Sequence, residues 1–99
     1  MKMELKKAAA AGTMESSDIQ ITVEPSAQPG IELELTSSVG QMYGSRIREV
    51  IRETLGTLGV ENARVTAVDK GALDCTIRAR AAAAVCRAAE CEAYPWEAK

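Results

Sequence analysis

Histidine and phenylalanine are both absent from this chain, tryptophan occurs once and tyrosine twice. The missing histidine removes the usual general base, and with it Ser-His and Cys-His nucleophiles, so the chain is read as having no catalytic centre of its own. It also leaves any zinc site with an unusual ligand set. Cys75, Cys86 and Cys91 are odd in number and lack C-x-x-C spacing. They are read as reduced thiols serving as small apolar side chains. So few aromatic rings make no stacking platform for single-stranded nucleic acid. A formal net charge of −2 offers no basic face to neutralise the phosphates of a duplex. Gly56 and Gly59 fit neither a P-loop nor a dinucleotide fingerprint. No apolar run is long enough to span a bilayer. The alanines at 8–11 are too short a run for a signal peptide, and the protein is expected in the cytoplasm.

What remains is a chain of 99 residues, enough for one compact domain. Its core must be built from Ile, Val, Leu, Met and many Ala. Residues 1–17 show no clean periodicity and end in the polar run Glu15, Ser16, Ser17, Asp18. They are read as a flexible N-terminal arm carrying a loop, followed by an α+β domain over 18–99.

Strict alternation starts at Ile19, with Ile21 and Val23 on the same side. It resumes with Ile31, Leu33 and Leu35 after the turn-rich stretch 25–30. Two period-two runs separated by Pro and Gly predict a β-hairpin with one face buried. From Val39 the period changes: Met42, Tyr43, Ile47, Val50, Ile51, Leu55 and Leu58 follow at helical spacing. Ser37 or Ser38 is the expected N-cap and Gly59 the expected C′ residue. Exposed charge pairs on this helix contribute ~0.2–0.5 kcal/mol each. Each buried Ile, Val or Leu contributes ~1.5–3 kcal/mol, so the apolar stripe decides.

A short strand is expected over 64–69, then a turn at Asp69-Lys70-Gly71. Leu73, Cys75, Ile77 and Ala79 alternate against Asp74, Thr76, Arg78 and Arg80, predicting a second hairpin. The Ala-rich stretch 81–92 predicts a helix, ended by Pro95. The expected order is β-β-α-β-β-α: a small α+β domain with a mainly antiparallel four-stranded sheet and helices on one face.

Paired carboxylates (Glu32 and Glu34, Asp69 and Asp74) are read as wet-face residues rather than an acid/base pair. The chemistry-bearing stretch is Gly12-Thr13-Met14-Glu15-Ser16-Ser17-Asp18, a polar loop offering a hydroxyl to a modifying enzyme. Glu15 and Asp18 would present a negative patch to basic partners. Read from these residues alone, most such serines are merely solvated and some are kinase targets, so a protein-interaction module phosphorylated in its N-terminal loop stays open.

This stretch resembles the G-T-[LM]-E-S-x-D segment of citrate lyase acyl carrier proteins, the gamma subunits. Ser37-Ser38-Val39 with Tyr43-Gly44 and Ile47 resembles that family's helix start. Asp69-Lys70-Gly71-Ala72-Leu73-Asp74-Cys75 with Arg78-Ala79-Arg80 resembles its D-K-G-A-L-D-C-x-x-R-A-R segment, and Pro95-Trp96-Glu97 its ending. The matches span nearly the whole chain in the family's order. A longer Lys/Ala-rich N-terminus and an Ala-rich last helix depart from the pattern.

The resemblance implies a non-catalytic carrier subunit of a lyase complex. It implies 2′-(5″-triphosphoribosyl)-3′-dephospho-CoA joined by a phosphodiester to Ser16, with Ser17 the local competitor. The thiol of that group would hold acetyl and citryl as thioesters. It also implies three partners: the transferase (alpha) and lyase (beta) subunits of citrate lyase, and a prosthetic-group transferase. The carrier of malonate decarboxylase, which uses the same group, is the nearest alternative; the Asp69–Cys75 motif and the Pro-Trp-Glu ending favour citrate lyase. Arg78 and Arg80 are read either as solvated or as contacts for the arm's phosphates or a partner. Trp96 is read either as packing on its own sheet or as anchoring assembly.

Overall fold

The computed structural model describes residues 3–37 and 41–90. Four strands, β1 (Ala9–Ala11), β2 (Ile19–Glu24), β3 (Gly30–Ser37) and β4 (Asn62–Asp69), and two helices, α1 (Gln41–Thr57) and α2 (Asp74–Ala89), follow in the order β-β-β-α-β-α. The strands form one sheet in the spatial order β1-β2-β4-β3. The sheet is mixed: β2 runs antiparallel to β1 and β4, while β3 runs parallel to β4. The α+β class, a four-stranded mainly antiparallel sheet and two helices agree with the sequence reading, and three of the strands lie where it expects them. Two of the pairings it implied do not.

The first correction concerns β2 and β3, which form no hairpin. β4 lies between them, with Ile21 opposite Ala67 and Leu33 opposite Val65. Alternation specifies which face of a strand is buried and is silent about its neighbour. The link 25–29 is long enough to step over one strand, since neighbours lie only ~4.8 Å apart. The parallel β3–β4 pair needs a crossover, and α1 supplies it.

The second correction concerns 73–80, where a strand was expected. Asp74–Ala89 is one continuous helix. Leu73, Cys75, Ile77 and Ala79 alternate with polar residues, yet only Ile77 of these is buried. The stripe that matters is Ile77, Ala81, Ala84, Val85 and Ala88, with helical spacing, and all five are buried. A run of Ala and Arg also favours helix locally. The third sheet pairing comes instead from Ala9–Ala11, inside the segment read as an arm. Ala is a poor strand former, and here pairing with β2 imposes the conformation, Ala9 facing Val23 and Ala11 facing Ile21.

One face of the sheet is covered. Ile19, Ile21, Val23, Ala63, Val65 and Ala67 are buried beneath the helices, and Met3, Leu5 and Ala9 pack against this core. α2 lies over β1 and β2, while α1 packs against α2 and β3. From α1 come Ile47, Val50, Ile51 and Leu55, all buried as their spacing predicts. Its C-terminus closes as expected on Gly59, at φ +83. The Val60 N–H donates to the Leu55 carbonyl at 2.9 Å and the Gly59 N–H to the Gly56 carbonyl at 3.1 Å, which is the Schellman arrangement. Ser37 closes β3 rather than capping α1, while Ser38 and Val39 lie outside the described residues. Among the described residues no helix is long and apolar enough to cross a membrane.

Candidate functional site

The loop between β1 and β2 is built from its base upward. At the base Gly12 takes φ +91, a conformation that favours glycine. Its α-carbon passes so close to Ile19 that a β-carbon there would lie 1.8 Å from the Ile19 carbonyl oxygen. At the top the Asp18 N–H donates to the Glu15 carbonyl at 3.2 Å, closing a four-residue turn. Ser16 takes the second position and Ser17 the third, with φ +67. A positive φ at the third position alone is type II geometry, where glycine or asparagine is usual.

The far limb of the loop extends the sheet. Ile19 faces Asp69 at the end of the β2–β4 ladder. One step further the Lys70 N–H donates to the Asp18 carbonyl at 2.9 Å, and the Ser17 N–H to the Lys70 carbonyl at 2.8 Å. The connection from β4 to α2 is fixed in turn by buried Asp69. Its carboxylate accepts from Gly71 N–H at 3.1 Å, Ala72 N–H at 3.0 Å and the Ser37 hydroxyl at 3.0 Å. The Asp69-Lys70-Gly71 motif is therefore a β-to-α turn that carries Lys70 to the loop.

Asp18 gathers the whole arrangement. Its Oδ2 accepts from Thr13 N–H at 3.1 Å and the Thr13 hydroxyl at 2.7 Å, and its Oδ1 from Ile19 N–H at 2.7 Å. Arg80, on α2, donates Nε–H to Oδ1 at 3.0 Å and Nη2–H to Oδ2 at 3.1 Å. This two-point pairing suits the planar guanidinium fork. The guanidinium, with the Thr13 and Ile19 donors, holds the Asp18 carboxyl well below the usual carboxylate range, against the opposing effect of burial.

These contacts revise two expectations. Asp18 is buried and neutralised, so of the expected negative patch only Glu15 is exposed. Arg80 pairs its guanidinium with Asp18 at two points, although its side chain stays partly exposed. Arg78 is exposed and lines a groove of about 500 Å³ between α1 and α2, together with Thr54, Leu58, Cys75 and Ala82. No residue of the 12–18 loop lines that groove. Trp96 lies outside the described residues.

Ser16 is the outlying corner of the turn. Its side chain is exposed, and its hydroxyl makes no hydrogen bond among the described residues. Lys70, also exposed, makes no ion pair among them. The site thus offers two exposed hydroxyls, of Ser16 and Ser17, without hydrogen bonds among the described residues, on a braced turn whose far limb is hydrogen-bonded to the backbone of Lys70. A hydroxyl so placed at the corner of the turn suits a phosphodiester attachment, because no hydrogen bond among the described residues must be broken to release it. Sequence reasoning singled out Ser16 as an exposed hydroxyl, which it is, and missed the bracing by Asp18 and Arg80. The only local signals were Gly12 and the Asp directly before β2.

Comparison with known proteins places these features in a lineage. Residues 6–88 match the acyl carrier family model described as malonate decarboxylase delta subunit (MdcD). A citrate lyase acyl carrier protein of Streptococcus mutans is 57% identical over 95 residues, covering 96% of this chain and 93% of the relative. Citrate lyase acyl carrier protein 2 of Salmonella typhimurium is 54% identical, covering 97% of this chain and 99% of its own. Among solved structures, a chain of a Pseudomonas malonate decarboxylase hetero-tetramer in complex with malonate superposes with a TM-score of 0.70. It is 20% identical, with 85% of this chain and 86% of that chain covered. At that identity the likeness is one of fold.

Proposed function

The chain belongs to the citrate lyase acyl carrier protein family, and on that premise we propose that it is the carrier subunit of a citrate lyase, with Ser16 as its attachment point. The observation that carries the proposal is the exposed Ser16 hydroxyl, without a hydrogen bond among the described residues, at the corner of a turn braced through Asp18. In this reading 2′-(5″-triphosphoribosyl)-3′-dephospho-CoA is the donor, and with pyrophosphate lost its phosphoribosyl-dephospho-CoA part stays on Ser16 through a phosphodiester, supplying a thiol able to hold acetyl and citryl as thioesters. The chain's own residues perform no bond-breaking in turnover. Ser16 anchors the group, Lys70 offsets phosphate charge, and the sheet and α2 hold the anchor still. Tethering then makes encounters with the transferase and lyase subunits intramolecular, at high effective concentration.

Ser17 is the weaker attachment point. Its backbone N–H is tied to Lys70 and its φ of +67 leaves it little freedom to move with a bound arm. The malonate decarboxylase carrier is the second reading, supported by the family match over 6–88. The identity of 57% to a citrate lyase carrier over nearly the full chain favours the first.

The deciding experiment is intact-mass analysis and peptide mapping of the chain produced with its prosthetic-group transferase. An added nucleotide-pantetheine mass on Ser16, lost in Ser16→Ala, supports the carrier. An unmodified chain, under conditions that modify a known carrier of this type, removes it. Acyl exchange with purified citrate lyase or malonate decarboxylase subunits then separates the two carrier readings.

A further inference from the structure

The 12–18 loop is fastened more firmly than a polar loop needs for solubility alone. Its base is closed by Gly12 against Ile19, and its far limb is paired with Lys70. Among the described residues, its one side-chain tie to a helix is the two-point contact from Arg80, 62 residues away, to Asp18. Asp18 is also the last residue of the turn that presents Ser16, and its carboxylate holds the near limb through both donors of Thr13. One carboxylate therefore connects both limbs of the loop to α2. Asp18 is buried while Arg80 remains partly exposed, with side-chain exposures of 13% and 41%.

We infer that Arg80 is a positioning residue for the modification of Ser16: through Asp18 it locks the turn in the one geometry that a transferase must bind. The inference rests on Ser16 being the attachment point. In the reaction it serves, the Ser16 oxygen forms a bond to the α-phosphorus of a triphosphate ester. The bond from that phosphorus to its bridging oxygen breaks, pyrophosphate leaves with the electron pair, and the hydroxyl proton passes to a base on the transferase. Arg80 takes no part in this bond exchange. It reduces the number of conformations among which the acceptor must be found, and binding is weakened in proportion when only a fraction of molecules is competent. Only a planar fork makes both contacts at once; a lysine retains the charge and loses the two-point hold.

The test compares wild type, Arg80→Lys, Asp18→Asn, the double variant and Ser16→Ala as substrates for the transferase. Initial rates of adduct formation are read by intact mass. Circular dichroism confirms folding of each at the assay temperature. The expected result for Arg80→Lys is a KM for the carrier raised about tenfold with kcat at saturation nearly unchanged, as a reduced competent fraction requires. The double variant should be no worse than the worse single one, because both break the same tie. Ile51→Val, a core change remote from the loop, lowers stability and should leave KM unchanged; this separates positioning from mere loss of stability. Should Asp18→Asn fail to fold, Thr13→Val removes one Asp18 donor and takes its place. Wild-type KM in folded Arg80→Lys, or an equal rise in Ile51→Val, overturns the inference. An adduct persisting in Ser16→Ala, or none on wild type, instead overturns the attachment reading beneath it.

Discussion

Gly12 and Ile19 approach so closely across the mouth of the loop that a β-carbon on Gly12 would lie 1.8 Å from the Ile19 carbonyl oxygen and 3.2 Å from Arg80 Cδ. The obstacle is backbone, which cannot rotate away as a side-chain tip can. Gly12→Ala must therefore shift the start of β2 or abandon the positive φ. It should lower stability by roughly 3–4 kcal/mol, within the range of special-conformation and steric losses. Urea unfolding followed by circular dichroism measures this; an unchanged midpoint would mean that the close approach is absent in solution.

Asp18 makes stability depend on pH in a defined direction. Its folded carboxyl titrates well below its unfolded counterpart. The stabilisation is complete above the unfolded value of about 3.9 and is lost as pH falls below it, because the unfolded chain then binds the proton first. A single such group gives a slope of at most about 1.4 kcal/mol per pH unit. Subtracting the curve of Asp18→Asn from that of wild type between pH 2.5 and 7 isolates this part. The two curves should converge towards acid and run parallel above about pH 5. Curves parallel throughout would dismiss the ion pair.

Ser17 occupies a glycine conformation at φ +67. Ser17→Gly relieves the strain of a non-glycine residue there, although a more flexible unfolded chain offsets part of the gain. A net stabilisation of about 0.5 kcal/mol is expected, a rise in Tm of roughly 2–4 °C for a domain this size. Ser16 should still accept the adduct in this variant. Loss of the adduct together with a raised Tm would move the attachment point to Ser17.

Leu73 separates the two readings of the 73–80 stretch. It is the N-cap of α2, extended in backbone, without a side-chain cap and 70% exposed. Leu73→Ser removes an exposed apolar side chain and supplies the missing cap, so stability should rise by about 0.5–1.5 kcal/mol. A strand core residue at this place would make the same change costly, by about 2 kcal/mol or more. The sign of the change in urea midpoint decides between them.

The helix start at Asp74 was hidden for a physical reason. Over 73–80 the chain alternates apolar and polar residues as a strand does, and short runs satisfy both periods. Only when Ile77 is followed to Ala88 does the 3.6-residue stripe stand out. At Ala9–Ala11 the opposite happens: nothing local calls for a strand, and β2 supplies the missing pairing. Ser16 was visible because exposure and free chemistry are local properties of a polar loop. Asp18 looked like one more surface acid, since its partner lies 62 residues away.

The sequence by itself determined the elements whose signal lies within a few turns of chain. These are the alternation of β2, β3 and β4, the apolar stripe of α1 and its closure at Gly59, and the polar turn carrying Ser16. Each rests on local geometry: side chains on a strand repeat every two residues, those on a helix every 3.6, and a positive φ favours glycine. Tertiary structure alone decided that β4 enters between β2 and β3, that Ala9–Ala11 becomes an edge strand, and that Arg80 closes on Asp18. Those outcomes depend on which distant surfaces bury the most apolar area together and which buried charge finds a partner. Such choices are made between segments, and no window along the chain contains them.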